Sequence, residues 1–338
     1  MFFLAIVVYM VLMGERSARL GVGPSGMGFG SASCTGRVGG GKRGKIIGWS
    51  RGSSARHLRF LQEVDGTQLN DLHGYALTFT VRDLPTCDEW LFYRRELLKF
   101  LKGRFELGHW VTELQARGVP HLHIAVYALD KLSSDDVKEL IFFWCVLTAR
   151  HRSKPIAQWV DVIKPGDGWS KYCAKHASRS VRHYQREGLP PGWSRSGRLW
   201  GKWGDWPTAR SEFLLSPSAA ILFRRLARAW AVKQAKLDAD KLANFKGTKP
   251  NYYGVKAAKR LTRRDPALWA VQGFRLWIPQ EVVINLLQAC KTLGYKVWQV
   301  LKGEDVLYHE INSSYSSAAN SVDIDSLGRY PKLNLVPF

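Results

Sequence analysis

The chain has 338 residues, with 50 Lys+Arg against 28 Asp+Glu and a formal net charge of +22. Hydrophobic residues at 46% and charged residues at 23% exclude a wholly disordered chain, and the length is ample for two domains with buried cores. The charge surplus points to a polyanionic partner, either nucleic acid or an anionic membrane surface. Fourteen Trp are present, and aromatics beside basic residues can stack bases, although core packing uses them equally well. Five cysteines (Cys34, Cys87, Cys145, Cys173, Cys290) are scattered without a CxxC pair. That spacing gives no zinc-ribbon signal and favours free thiols in a reducing cytoplasm.

Residues 2–13 form an apolar run of twelve, too short to span a bilayer unaided. Arg16 and Arg19 follow the run, whereas a secretory signal places its positive charge first. The run reads as a buried element, a membrane-contacting segment, or an upstream extension from a misplaced start. Met10, Met13 and Met27 favour the last. Residues 21–41 are Gly/Ser-rich and read as flexible linker. Residues 42–59 hold six Lys/Arg and no acidic residue, so they read as a phosphate-binding arm or a solvated tail.

Order is expected to begin near His73. Residues 75–81 alternate and are β-rich, which predicts a strand. Residues 85–102 predict an amphipathic helix, with Trp90, Leu91, Arg94, Leu97, Leu98 and Leu101 in register. Residues 109–114 and 121–127 predict two strands joined by a turn at Gly118-Val-Pro120. Residues 133–150 predict a helix opened by a Ser-Ser-Asp-Asp cap. A strand is expected at 157–163 and a helix from about Trp169. Residues 211–245 have a helical pattern, and the window 231–264 holds ten Lys/Arg against two Asp. The tail beyond Asn312 is expected to be poorly ordered. These elements define an α+β fold: a central antiparallel sheet with flanking helices, plus a mainly helical, basic C-terminal region.

Three constellations could carry chemistry. His121 and His123 stand at i and i+2 on a strand, so both project to one face. Leu122 and Ile124 then point into the packed side. Glu113, before the turn on the partner strand, can bring a carboxylate beside the imidazoles, and Gln115 can share the face. Two imidazoles and a carboxylate suit a divalent metal; solvated surface histidines are the plain alternative. Tyr172, Lys175, His176 and Arg179 fall at i, i+3, i+4 and i+7 of a helix, hence on one face. The cationic neighbours favour the phenolate of a tyrosine, a known covalent nucleophile, but such a face can also simply bind phosphate. Gly197-Arg-Leu-Trp-Gly-Lys-Trp-Gly204 sets two Trp-Gly pairs among basic residues. It reads as a base-stacking element or as a turn pinned by buried Trp. His73 and His109 are isolated in sequence, which argues against a paired-histidine phosphoesterase.

In order, these motifs resemble the HUH endonucleases, the rolling-circle replication initiators of filamentous bacteriophages and related plasmids. The first strand of that pattern is Leu77-Thr-Phe-Thr80. Glu113 and Gly118-Val-Pro-His-Leu-His123 follow, then Tyr172-Cys-Ala-Lys175 and Gly197-Arg-Leu-Trp-Gly201, with Leu199 in place of an aromatic. The resemblance covers roughly residues 70–205.

The resemblance implies an HUH-type endonuclease domain at 67–210. A flexible basic N-terminal segment would precede it at 1–66, and a helical basic region with a disordered tail would follow at 211–338. It implies Mg²⁺ or Mn²⁺ held by His121, His123 and Glu113, and attack by Tyr172 on origin DNA. The products would be a 5′-phosphotyrosine link and a 3′-OH, with strand joining later. Lys175 would orient the phosphate, and Arg179, Arg198, Trp200 and Lys202 would contact DNA. The expected partners are single-stranded and origin DNA, with a host helicase and polymerase, in the bacterial cytoplasm; a membrane partner is not expected. His176 stands where some relatives carry a second tyrosine, so a two-tyrosine cycle does not fit, and Tyr184 is a poor substitute on a continuous helix. The competing expectation is a non-catalytic protein that binds single-stranded or origin DNA.

Overall fold

The computed structural model describes residues 18–31, 44–164, 169, 172, 184–261, 274–301 and 307–310. In chain order the strands are β1 (Ala18–Gly23), β2 (Gly26–Ser31), β3 (His73–Thr80), β4 (Leu107–Leu114), β5 (Pro120–Ala128), β6 (Trp159–Ile163), β7 (Trp200–Trp203), β8 (Ser211–Leu215), β9 (Phe274–Trp277), β10 (Val297–Leu301) and β11 (Leu307–Glu310). The helices are α1 (Arg51–Glu63), α2 (Cys87–Lys102), α3 (Ser134–Leu147), α4 (Pro217–Lys246), α5 (Tyr253–Leu261) and α6 (Gln280–Thr292). The fold is α+β, with two antiparallel sheets in two compact units, Val38–Ala209 and Met1–Arg37 with Arg210–Phe338.

The first unit holds a five-stranded sheet in the order β6-β3-β5-β4-β7, antiparallel throughout. One face packs on α2 and α3. Leu77, Phe79, Leu122, Ile124 and Val126 from the sheet meet Trp90, Leu97, Leu101, Leu140 and Trp144 from the helices. α2 begins two residues, and α3 one residue, after the expected start. Thr86 and Glu89 close one capping box, and Ser133 and Asp136 close the other. Every residue of β5 is buried, because both sheet faces are covered at its central position.

β4 and β7 join through a reciprocal fit. Trp203 lies opposite Gly108, and Trp110 lies opposite Gly201. A Cβ on Gly108 would sit 2.0 Å from Trp203 Cζ2, and one on Gly201 would sit 2.8 Å from Trp110 Nε1. These glycines are spaces for indoles, and Trp203 Nε1 donates to the Phe105 carbonyl at 3.1 Å. Trp203 is half-buried, and it is this packing rather than an open stacking face that the structure shows for it.

The second unit holds a six-stranded antiparallel sheet in the order β11-β10-β8-β1-β2-β9. Leu20, Val22, Met27, Phe29, Phe213 and Leu215 share one core with Phe223 and Leu226 of α4 and with Val283, Leu286 and Leu287 of α6. The C-terminal part thus carries the helices expected of it and, in addition, four strands. Three local expectations change. The Gly-rich stretch starting at Gly21 was expected to be linker, yet residues 18–31 form a hairpin in mid-sheet. Its pattern is apolar residues alternating with glycine, and that period of two is a strand signal hidden by the composition. The glycine face leaves room for arginine: a Cβ on Gly21 would meet the Arg210 guanidinium at 2.3 Å. A chain started at Met27 would lack β1, the strand between β2 and β8. At the other end, residues 211–215 pair as β8 rather than opening a helix. The Ser216 N-cap followed by Pro217 sets the true start of α4. Residues 51–63 of the basic arm form α1, capped by Ser50.

The apolar run 2–13 and the tail beyond Asn312 lie outside the described residues. Among the described residues, no helix is long and apolar enough to cross a membrane.

Candidate active site

Strand register assembles the site on the sheet face opposite α2 and α3. His121 on β5 lies between Thr80 of β3 and Glu113 of β4. His123 lies between Thr78 and Val111. Directly opposed residues in antiparallel strands project to the same side, so all six share one face. The alternation expected from His121-Leu-His123 is present, with Leu122 and Ile124 in the opposite core.

The three ligand-type side chains converge. His121 Nε2 and His123 Nε2 are 2.8 Å apart, with their rings nearly perpendicular at 83°. Glu113 Oε2 is 3.7 Å from His123 Nε2. One ligand atom from each residue lies within 4.8 Å of the others, and all three residues are buried. Two nitrogens this close cannot both carry protons directed at each other, whereas two bare lone pairs facing one point are what a cation takes. The cluster can hold a metal ion.

Neighbouring residues fix this geometry. Thr78 Oγ1 lies 3.0 Å from His123 Nδ1, which sets the ring with its Nε2 inward. Arg186 is buried and donates from Nε to Glu113 Oε1 at 3.2 Å. The carboxylate is thereby divided, one oxygen toward Arg186 and the other toward His123. Burial pushes the Arg186 guanidinium down to about 10, so it stays charged at neutral pH. Gln115 shares the rim as expected, its amide donating to Thr80 Oγ1.

Tyr172 is a helical residue, and its ring stacks on Trp169 at 5.6 Å and 24°. Its hydroxyl lies 3.3 Å from His109 Nδ1. His109 is on the same strand as Glu113 and an even number of residues away, so it faces the same side. Its sequence isolation is not spatial isolation. His109 Nε2 lies 3.0 Å from His57 Nε2 of α1, and the two rings are coplanar within 7°. Both histidines are almost fully buried.

The other expected residues fall in different places. Trp200 packs against His57 and Phe60, and its Nε1 donates to Ser53 Oγ at 3.2 Å. Lys202 is exposed, with Nζ 4.9 Å from the Phe60 ring centre. Arg198 is exposed, and its carbonyl accepts from Arg94 at 2.6 Å. Tyr184 is exposed. Lys175, His176 and Arg179 lie outside the described residues. Sequence reasoning missed His57, His109 and Arg186. Strand alternation back from Glu113 could have found His109, but nothing local marks the other two.

No family model matches the chain, and no solved structure matches it. Known proteins do. A replication-associated protein of Pseudomonas phage Pf3 is 34% identical over 263 residues, which cover 76% of this chain and 90% of the relative. A protein of Xylella fastidiosa (strain 9a5c), provisionally named a replication protein, is 36% identical over 269 residues, covering 75% of this chain and 90% of its own. A counterpart from strain Temecula1 is 36% identical over 249 residues, covering 70% of this chain and 89% of its own. At 34–36% identity over most of both chains, this chain belongs to that family of phage and bacterial replication-associated proteins.

Proposed function

We propose that this protein is a rolling-circle replication initiator of the HUH type, which nicks origin DNA with Tyr172 beside a metal centre at Glu113, His121 and His123. The observation that carries the reading is the convergence of those three side chains on the sheet face that also bears His109 and, through it, Tyr172. The donor set fits a divalent cation, and two imidazoles with one carboxylate suit Mn²⁺ better than Mg²⁺. Such an ion, when bound, neutralises charge developing at a phosphate.

The protein's own groups do the rest. Arg186 holds Glu113 in place, and Thr78 holds the His123 ring. His109 receives the Tyr172 hydroxyl. Attack on the scissile phosphate by the phenol oxygen gives a 5′-phosphotyrosine and frees a 3′-OH. His123 is level with Val111, one strand repeat or about 7 Å along β4 from His109, so a single phosphate can bridge the two stations. Lys175 and Arg179, three and seven residues after Tyr172 in sequence, would supply cationic groups for phosphates. Arg198 and Lys202 add exposed charge, and Trp200 offers an aromatic edge to a displaced base. This chemistry belongs in the bacterial cytoplasm, on single-stranded or melted origin DNA, beside a host helicase and polymerase.

The test is incubation of the purified full chain with Mn²⁺ and labelled single-stranded DNA of its replicon. A covalent adduct that survives denaturation is expected, absent in Tyr172→Phe, whose DNA binding persists. Salt-sensitive binding without any adduct would instead identify a non-catalytic DNA-binding protein. His121→Ala is expected to lose the Mn²⁺ dependence together with the adduct.

A further inference from the structure

The Tyr172 hydroxyl lies against His109, which is in turn paired with a second buried histidine, His57. From that juxtaposition we propose that His109 is the general base for Tyr172, and that His57 is a positioning residue that orients His109. The inference rests on the reading of Tyr172 as nucleophile and adds to it the group that takes its proton.

Hydrogen-bond accounting supports the assignment. A phenol hydroxyl 3.3 Å from His109 Nδ1 is within reach of proton transfer in an unliganded site, where such contacts are often long. The two Nε2 atoms are 3.0 Å apart, so one proton lies between them. When that proton is on His109 Nε2, His109 Nδ1 is bare and accepts from Tyr172. His57 then provides the lone pair that fixes this tautomer. Nucleophile, base and orienting group in sequence is the general arrangement of an activated nucleophile.

The surroundings keep the pair in one geometry. Trp49 and Trp200 pack on the His57 ring at 5.6 Å and 5.0 Å. Phe60 packs on His109 at 5.4 Å, and Trp169 meets it edge-on at 6.2 Å. His57 is 1% exposed and His109 is 0% exposed, so bulk water does not substitute for either partner.

The step balances as follows. The Tyr172 O–H bond breaks as His109 Nδ1 takes the proton. The phenol oxygen bonds to phosphorus. The P–O3′ bond breaks, its electron pair leaves on the 3′ oxygen, and that oxygen takes a proton from solvent. His109, an imidazolium held through Nε2–H by His57 Nε2, keeps that proton until the reverse, joining step returns it to the departing Tyr172 oxygen.

The experiment measures single-turnover adduct formation by the full chain with Mn²⁺ and labelled single-stranded DNA, with DNA binding followed in parallel. His109→Ala is expected to slow adduct formation by about 10²–10⁴-fold. DNA binding should persist, and added imidazole should restore part of the rate. His57→Leu is expected to slow the reaction by roughly tenfold or more, while His57→Gln, which offers His109 an acceptor again, recovers most of that loss. Unchanged rates in His109→Ala and His57→Leu would overturn the proposal while leaving the nucleophile intact. So would a slow His109→Ala that binds DNA but does not respond to imidazole. No adduct from the unaltered protein, or an undiminished adduct in Tyr172→Phe, would instead overturn the underlying nucleophile reading.

Discussion

Thr78 Oγ1 reaches His123 Nδ1 at 3.0 Å across the β3–β5 pair, and this contact determines which nitrogen of His123 faces the cluster. Cation binding needs a bare Nε2, hence a proton on Nδ1, and the hydroxyl oxygen is its acceptor. Thr78→Val is expected to weaken Mn²⁺ binding by about 10–100-fold, measured by calorimetric titration, with the fold intact. Unchanged affinity would remove Thr78 from the metal argument.

Arg186 and Glu113 form a buried ion pair, 2% and 0% exposed in their side chains. Removing one partner leaves the other charged and desolvated. Arg186→Met is expected to cost about 3–5 kcal/mol in urea unfolding, and adding Glu113→Gln should recover part of that loss.

The Gly108–Trp203 contact predicts a steric effect without any polar change. Gly108→Ala forces a methyl against the indole, and about 1–3 kcal/mol of stability should be lost in denaturant unfolding. A second change, Trp203→Leu, should make the alanine less costly, because the clash partner is gone.

The α2 capping box predicts a pH effect. The Thr86 backbone N–H and hydroxyl donate to Glu89 and hold its pKa below the ordinary 4.5. A carboxylate lowered in the folded state contributes stability above its unfolded pKa and loses it as pH falls through the folded one. Unfolding midpoints of the unaltered protein and Glu89→Gln should therefore differ most near neutrality. They should converge as pH drops below 4.5.

Legibility in the sequence followed the range of the interaction. The strand carrying His121 and His123 was readable because alternation is local. The start of α3 was readable because the Ser133-x-x-Asp136 box is complete within four residues. Glu113 came within reach because a short turn joins its strand to the next. Arg186, by contrast, meets Glu113 across 73 positions, and His57 meets His109 across 52. No local pattern encodes such pairings. The β1–β2 hairpin failed for another reason: glycine at alternate positions imitates linker composition, and its partners β8 and β9 lie far along the chain.

That hairpin also imposes an order on synthesis. Residues 18–31 emerge early, but the strands that flank them, β8 and β9, are Ser211–Leu215 and Phe274–Trp277. Closing that loop carries the entropy cost of a long intervening chain. The five-stranded unit is fully translated once Ala209 has left the ribosome. It can fold while the hairpin, with its row of unpaired backbone groups, still waits for neighbours. Until β8 and β9 are made, residues 18–31 lack both of their sheet neighbours. The glycines of β1 and β2, which present little apolar surface on one side, make that wait less prone to aggregation.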